Sequence, residues 1–408
     1  MSGFRCRSCG GGRVPTILSL GMTPLANALI RPDELGSTET SYPLDLVFCV
    51  DCTLVQITET VPPARLFSDY AYFSSFSDTM LRHAEALVAR VVSTRGLNGR
   101  SLAAEVASND GYLLQYYRAA GVPVLGVEPA ANIAKVAEER GIRTVVEFFG
   151  EALAGSLKET GDAADVIHAN NVLAHVPDLP GFARGLAALL KEDGVAIIEV
   201  PYVKDLIDHR EFDTIYHEHL SYFSLTALDH LFTRCGLALH DVERIPIHGG
   251  SLRVTVGLAD RGAPLPAVAA LLEEERYWGV TKLAFYEGLA DAVAELRTSL
   301  VSLLADLRRQ GKRVAAYGAA AKGSTLLNYF GIGQDVLEYV VDRSPHKQGR
   351  LMPGVHLPIV PPARLLEDRP DFVLLLTWNF ADEILEQQAD FRRGGGRFII
   401  PVPAVQIV

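Results

Sequence analysis

The chain predicts an α/β protein: a small metal-binding module followed by two lobes of alternating strands and helices. Three observations carry this expectation. Four of the five cysteines fall in two matched pairs, Cys6-x-x-Cys9 and Cys49-x-x-Cys52. Behind them strand-like and helix-like runs alternate, the signature of a parallel sheet. A second strand, glycine turn and helix begins at Arg313.

Each cysteine pair sits on a tight turn that aims two thiolates at one point, and two such turns supply the four soft tetrahedral ligands that zinc prefers. Cys6, Cys9, Cys49 and Cys52 are therefore read as a closed structural zinc site, and Cys235 as core. The N-terminal stretch from Met1 to Gly12 is polar, and no apolar run reaches membrane-spanning length. A cytoplasmic, reducing location is expected, since it keeps thiolates free for metal. The net charge of -11 repels polyanions, and residues 1–60 hold four arginines against six acids. No basic stripe is present, so nucleic acid is not an expected partner, and neither is a membrane.

After the cysteine module, Leu66 to Met80 is polar and aromatic and reads as a lid or packing segment. A helix follows over about Asp78 to Thr94, with Leu81, Ala84, Leu87, Val88 and Val91 at helical spacing. Strands are predicted at Leu102–Ala107, Val122–Glu128, Ala164–Ala169 and Gly194–Val200. Two more, Leu237–Arg244 and Ser251–Leu258, form a terminal antiparallel pair that a dinucleotide domain does not need but a methyltransferase core does. Residues 266–310 are rich in Ala, Leu, Glu and Arg and read as one or two long helices linking two lobes. In the last lobe come strand Arg313–Tyr317, the turn Gly318 to Gly323, a helix from Ser324, and strands Leu337–Val341, Phe372–Thr377 and Arg397–Pro401. The expected domains are 1–75, 76–262 and 263–408.

The first strand of the central lobe runs into Glu105-Val-Ala-Ser108-Asn-Asp110-Gly111, where a glycine turn meets a helix opening at Tyr112. The next strand ends in Glu128-Pro129, which places a carboxylate to accept both hydroxyls of a ribose. Gly111 is the single glycine of this turn, and Glu105 and Asp110 would repel a diphosphate. The same acids suit the sulfonium and amino groups of S-adenosylmethionine. Asn170, Asn171 and His175 leave the fourth strand over the bound cofactor, and Phe148 with Phe149 can flank an adenine.

Further on, Tyr216-His217-Glu218-His219 packs titratable groups so densely that a passive loop is a poor explanation. With Thr23-Pro-Leu-Ala-Asn27, Tyr70 in Ser-Asp-Tyr-Ala-Tyr, Asn170-Asn-Val-Leu-Ala-His175, His248-Gly-Gly-Ser-Leu-Arg253 and Gly318-Ala-Ala-Ala-Lys-Gly323, this loop gives the full length of the chain a likeness. It resembles the nucleotide-sugar C-methyltransferases. The resemblance implies a class I S-adenosylmethionine methyltransferase core, Rossmann-like, flanked by the zinc-binding domain and a C-terminal α/β Rossmann-like domain. It also implies a thymidine-diphosphate 4-keto-deoxysugar methylated at carbon 3, in antibiotic or other secondary-metabolite biosynthesis.

Carbon carrying hydrogen must lose a proton before it can accept a methyl group, so a base and an oxyanion stabiliser are both needed. His219 is the expected base, oriented by Glu218 or another acid, while Tyr216, Tyr70 and His175 hold the ketone oxygen or the sugar. Lys322, at the start of a helix after a glycine turn that admits a pyrophosphate, is expected to meet the diphosphate. Ser324, Asn328, His248, Lys347 and Arg350 complete the expected substrate set, and Trp378 or Tyr329 can stack on the base. Three other readings remain: an O- or N-methyltransferase, an NAD(P)-dependent oxidoreductase of nucleotide sugars, and a zinc-scaffold interaction protein.

Overall fold

The computed structural model describes residues 3–67 and 74–408. Tyr70 lies outside the described residues, as do the side chains of Phe76 and His248.

β1 (Thr16–Pro24), β2 (Ser41–Phe48) and β3 (Val55–Ile57) form an antiparallel sheet that carries the cysteine turns at its end. The helix Asp78–Arg95 follows. Ser77 caps it by accepting the Met80 amide at 3.3 Å, and Gly96, at φ +63°, ends it in the left-handed region. Its apolar face buries Met80, Ala84, Leu87, Val88 and Val91 as the spacing requires.

The central sheet is built from β4 (Ala103–Val106), β5 (Val124–Val127), β6 (Thr144–Val145), β7 (Ala164–Asn170) and β8 (Leu190–Pro201), all parallel. β9 (Ser221–Tyr222) leaves this lobe and pairs with β3, so the cysteine module and the central lobe share a sheet. β10 (Leu237–Ile245) and β11 (Ser251–Leu258) return as the antiparallel pair, in the order β10-β11-β8-β7-β4-β5-β6. That order, with β11 inserted antiparallel beside β8, is the class I methyltransferase sheet. It reverses direction at β4 and β7, whose carboxyl ends open the ligand crevice.

The stretch expected as one or two helices is two, Pro266–Trp278 and Leu289–Arg309. Gly279, at φ +84°, closes the first because only glycine takes that conformation freely. The second does more than link two lobes. Its stripe Leu289, Val293, Leu296, Leu300, Leu304 and Leu307 packs into one core with Leu18 and Leu20 of β1 and Leu326 and Phe330 of the last lobe. Burial at roughly 2 kcal/mol per leucine makes this helix the keel joining the outer modules.

The last lobe holds β12 (Val314–Tyr317), β13 (Val340–Val341), β14 (Ile359–Val360), β15 (Phe372–Leu375), β16 (Arg397–Ile400) and β17 (Gln406–Ile407), ordered β14-β13-β12-β15-β16-β17. Its strands are parallel except β17. Strand and helix ends shift by up to four residues from the sequence reading: the strand expected at Gly194 begins at Leu190, and the helices expected at Tyr112 and Ser324 begin at Leu114 and Ala321.

Candidate functional site

The four cysteine sulfurs lie within 4.8 Å of one another. Cys6 and Cys52 are 3.5 Å apart, as are Cys9 and Cys49. Thiolates about 2.3 Å from a tetrahedral zinc stand about 3.8 Å apart, so the cluster fits the ion. Local turns create it: Gly10 N donates to Cys6 O at 2.8 Å and Thr53 N to Cys49 O at 2.8 Å. Gly11 N and Gln56 Nε2 donate to the Cys9 and Cys6 sulfurs at 3.3 and 3.1 Å, which offsets thiolate charge. With four protein ligands it is a closed structural zinc site. Cys6, Cys49 and Cys52 pack in one core with Leu228 and Phe232 of the central lobe, so the cysteine cluster docks the module on that lobe. Cys235 is core, as expected.

At the crevice, strand alternation decides which side chains face the helix 78–95. Ala103, Val166, Val195 and Ile197 pack there with Met80 and Leu87, so Glu105, His168, Asn170 and Glu199 project to the same face nearer the carboxyl ends. Ala107, Asn109 and Gly111 have φ of +54°, +50° and +78°, and Asn171 has +55°. Three non-glycine residues held in the left-handed region store strain around this turn. The carboxylate of Glu128 organises it, accepting from Asn109 N at 3.0 Å and Ala130 N at 2.9 Å. Burial pushes Glu128 up. Burial, followed by the like charges of Asp110 and Glu128, pushes Glu105 well above the ordinary carboxylate range.

Among the described residues, Glu105 Oε2, Ser108 Oγ, Asp110 Oδ1 and Asn170 Oδ1 are buried with no hydrogen-bond partner. Buried polar atoms are rarely left so. Four of them around one turn are acceptors for a ligand rich in donors and positive charge, which fits S-adenosylmethionine and would repel a diphosphate. The other Asp110 oxygen meets Ser75 Oγ and, at 3.2 Å, the Arg140 guanidinium. At Gly111 a Cβ would lie 2.2 Å from Ile142 Cδ1, so on that side the glycine makes room for Ile142. Pro129 is half-buried beside Glu128, Phe148 is 48% exposed, and Phe149 packs edge-on against Phe182 at 5.2 Å.

Beyond β8 the loop holding residues 212–219 folds under the zinc module. His219 Nδ1 donates to Thr214 O at 2.9 Å, leaving Nε2 as the acceptor for the Tyr216 hydroxyl at 2.8 Å. The orienting acceptor at Nδ1 is therefore a carbonyl, where an acid had been expected. The His175 ring stands 4.9 Å from that of His219, edge to face. Burial holds His175 down at about 4, so it is neutral at pH 7. Glu218 is buried and accepts from Asn27 Nδ2 of the N-terminal module at 2.7 Å. Burial pushes it up to about 7, against the pull of Asn27 and Lys347. His217 turns to Pro43 O at 3.2 Å and to the Tyr42 ring, which docks the loop on β2.

In the last lobe several expected substrate contacts are occupied by the protein. Ser324 Oγ donates to Ala26 O at 2.8 Å. Asn328 Nδ2 donates to Ser324 O and Pro353 O at 2.8 and 3.0 Å, and its Oδ1 abuts Gly354. Lys322 Nζ donates to Asn379 Oδ1 at 3.0 Å and lies 4.5 Å from the Trp378 ring centroid. Trp378 is buried in the core and Tyr329 tilts against Phe212 and Phe330. Nor does the glycine turn present bare backbone: Cβ atoms at Gly318 and Gly323 would lie 2.5 Å from Thr377 and 2.9 Å from Leu376. Lys347 is half-buried, donating to Ala319 O at 2.8 Å, and Arg350 is exposed.

Three family descriptions match successive segments: a zinc binding domain over 6–67, a methyltransferase domain over 80–242 and a C-methyltransferase C-terminal domain over 246–403. The C-methyltransferase NovU of Streptomyces niveus is 37% identical over 404 residues, covering 99% of this chain and 96% of its own. The chain belongs to the S-adenosylmethionine-dependent C-methyltransferase family. Solved structures resemble part of this C-methyltransferase. Magnesium protoporphyrin IX methyltransferase (ChlM) of Synechocystis with bound SAM is 14% identical over 43% of this chain and 78% of its own, with a TM-score of 0.33. The 1,6-didemethyltoxoflavin-N1-methyltransferase of Burkholderia thailandensis is 21% identical over 43% and 76%, with a TM-score of 0.32.

The sequence reading of this C-methyltransferase missed a buried cluster beside the crevice. Glu199 accepts from Arg253 Nε at 2.7 Å and lies 3.0 Å from His83 Nε2. Burial alone would push its carboxyl up, but His83 and Arg253 together hold it below the ordinary range. Glu199 ends a strand and Arg253 closes the His-Gly-Gly motif, so both were visible. His83 was not, since a lone histidine on a helix carries no pattern.

Proposed function

We propose that this C-methyltransferase methylates carbon 3 of a thymidine-diphosphate 4-keto-deoxysugar, in branched-deoxysugar biosynthesis for an antibiotic or other secondary metabolite. The observation that carries the reading is the tautomer of His219, whose Nδ1–H is committed to Thr214 O while Nε2 is the basic nitrogen. S-adenosylmethionine, when bound over Glu105, Ser108, Asp110, Glu128 and Asn170, supplies an electrophilic methyl group. The protein's part is to make the acceptor carbon nucleophilic. His219 Nε2 takes the proton from carbon 3, the electron pair of that C–H bond spreads onto the neighbouring carbonyl oxygen, and an enolate results. The Tyr216 hydroxyl, displaced from Nε2 as the base engages, is placed to donate to that oxygen.

Glu218, raised to about 7, is about half protonated near pH 7 and in that form can donate as well. His175, being neutral, adds no positive charge that would hold Nε2 back. Arg350, which is exposed, offers charge to the diphosphate. On this reading residues 1–75 brace the catalytic loop, 76–262 hold the cofactor, and 263–408 help to grip the sugar nucleotide of a cytoplasmic enzyme.

The test is mass spectrometry of a panel of thymidine-diphosphate 4-keto-deoxysugars incubated in heavy water, with and without the cofactor. Deuterium entering next to the ketone, lost in His219→Asn, and one added methyl on carbon are the expected results. Methyl transfer to oxygen or nitrogen, undiminished in His219→Asn, refutes the reading.

A further inference from the structure

Lys322 sits where the sequence places a diphosphate anchor, yet its ammonium is directed into the protein. It donates to Asn379 Oδ1 at 3.0 Å and covers the face of Trp378 at 4.5 Å. Trp378 in turn donates its Nε1–H to Asp213 Oδ2 at 2.8 Å, across 165 residues of chain, and Asp213 is fully buried. Two residues on, Ile215 O accepts from Thr325 Oγ1 at 3.2 Å. The C-terminal lobe thus grips both neighbours of Thr214.

We infer that Trp378, Asn379, Lys322 and Thr325 are positioning residues that hold residues 213–215 so that the Thr214 carbonyl orients the imidazole of His219. The inference rests on the reading of His219 as the base and deepens it. A carbonyl between two held residues cannot rotate without breaking contacts on either side. Thr214 O receives the Nδ1–H of His219 at 2.9 Å and the Tyr222 hydroxyl at 3.3 Å. Its direction therefore sets the direction of Nε2, on which proton removal depends, and misplacement of a reacting group by about 1 Å costs about 100-fold in rate.

Electrostatics support the arrangement. Burial pushes Asp213 up to about 6 and Glu211 up to about 8, and Lys322 is the charge that draws both back down. The lysine charge is thereby engaged with Asp213, which is mostly ionised at neutral pH. Gly318 and Gly323, filled by Thr377 and Leu376, leave no bare backbone beside Lys322.

Steady-state methyl transfer to a thymidine-diphosphate-linked 4-keto-6-deoxyhexose, with deuterium exchange and calorimetric binding of thymidine diphosphate, tests this in the full-length zinc protein. Trp378→Phe keeps the ring under Lys322 but removes the donor to Asp213, and Lys322→Met removes the charge. Both variants should lose about 10- to 100-fold in kcat and in exchange, with KM and the thymidine diphosphate Kd within about twofold of wild type. If Lys322→Met is unstable by thermal melt, Trp378→Phe alone decides. A Kd and KM raised about tenfold or more with kcat kept would make Lys322 a diphosphate anchor and overturn the inference. Exchange lost in His219→Asn but intact in both variants overturns it while sparing the base reading. Full exchange in His219→Asn overturns both.

Discussion

The turn after β4 and the turn after β12 are built alike and left in opposite conditions. Each follows the first strand of a parallel sheet, and each is tied by an acid from the end of the next strand: Glu128 accepts from Asn109 N, and Asp342 accepts from Ala319 N at 2.8 Å. Each contains a positive-φ glycine whose side is filled by protein, Gly111 by Ile142 and Gly318 by Thr377. In the first turn, however, Glu105, Ser108 and Asp110 keep buried oxygens without partners among the described residues. In the second, Lys347 closes over Ala319 O and Lys322 folds onto Trp378 and Asn379. A strand, glycine turn and helix thus does not identify a ligand site. A cluster of buried, unsatisfied acceptors is the better mark: three residues supply them at the first turn, whereas at the second Thr377 Oγ1, packed on Gly318, is left without a partner among the described residues.

The comparison can be broken in four ways. The largest effect is expected from the tying acids. Glu128→Ala should weaken S-adenosylmethionine about 100-fold by calorimetry, through lost charge-assisted bonds and a loosened turn, while Asp342→Ala keeps it within about twofold. Equal losses would mean that both turns serve the cofactor. Next come the glycines. Gly111→Ala and Gly318→Ala should each cost roughly 1–3 kcal/mol in urea unfolding, because φ and space forbid a Cβ in both. A cost in only one would show that the two turns are not packed alike.

A smaller effect separates the turns by pH. The folded pKa of Glu105 lies above the ordinary 4.5, so between those values the folded protein binds more protons than the unfolded one. Stability contributed at lower pH is then lost as pH rises through that window. Glu105→Gln should flatten this decline in the cofactor-free protein, and Glu218→Gln should flatten the stretch up to about 7. A slope unchanged in Glu105→Gln would place the strain elsewhere. The smallest expected signal is none: titration with NAD up to about 1 mM should give no saturable binding at the second turn. Tight binding would restore the oxidoreductase reading.

Much of this was legible in the residues. Cysteine spacing, strand alternation and the Glu105 to Gly111 turn are local patterns, and local geometry enforces them. Glu128 was readable because an acid ending the second strand of such a sheet has one place to point. Less legible were pairings set by packing. Asn27 reaches Glu218 across 191 residues, and only its place in Thr-Pro-Leu-Ala-Asn hinted at a polar role in apolar company. The carbonyl that orients His219 left no trace, since every residue has one. Trp378, just beyond β15, reads in the sequence as a stacking surface for a base, and its hold on Asp213 and Lys322 was hidden. Ser324 and Asn328 looked like binding residues until Ala26 and Pro353 were found in contact with them.

By itself, the order of residues determined the zinc ligand set and the two α/β lobes and singled out the dense titratable loop at Tyr216–His219, because each depends on spacings of a few residues. Tertiary structure alone decided what His219, Glu218 and Lys322 touch. Those partners come from the N-terminal loop, the backbone of residues 212–219 and the C-terminal lobe, and they meet because the helix Leu289–Arg309 and β9 bury the modules against one another.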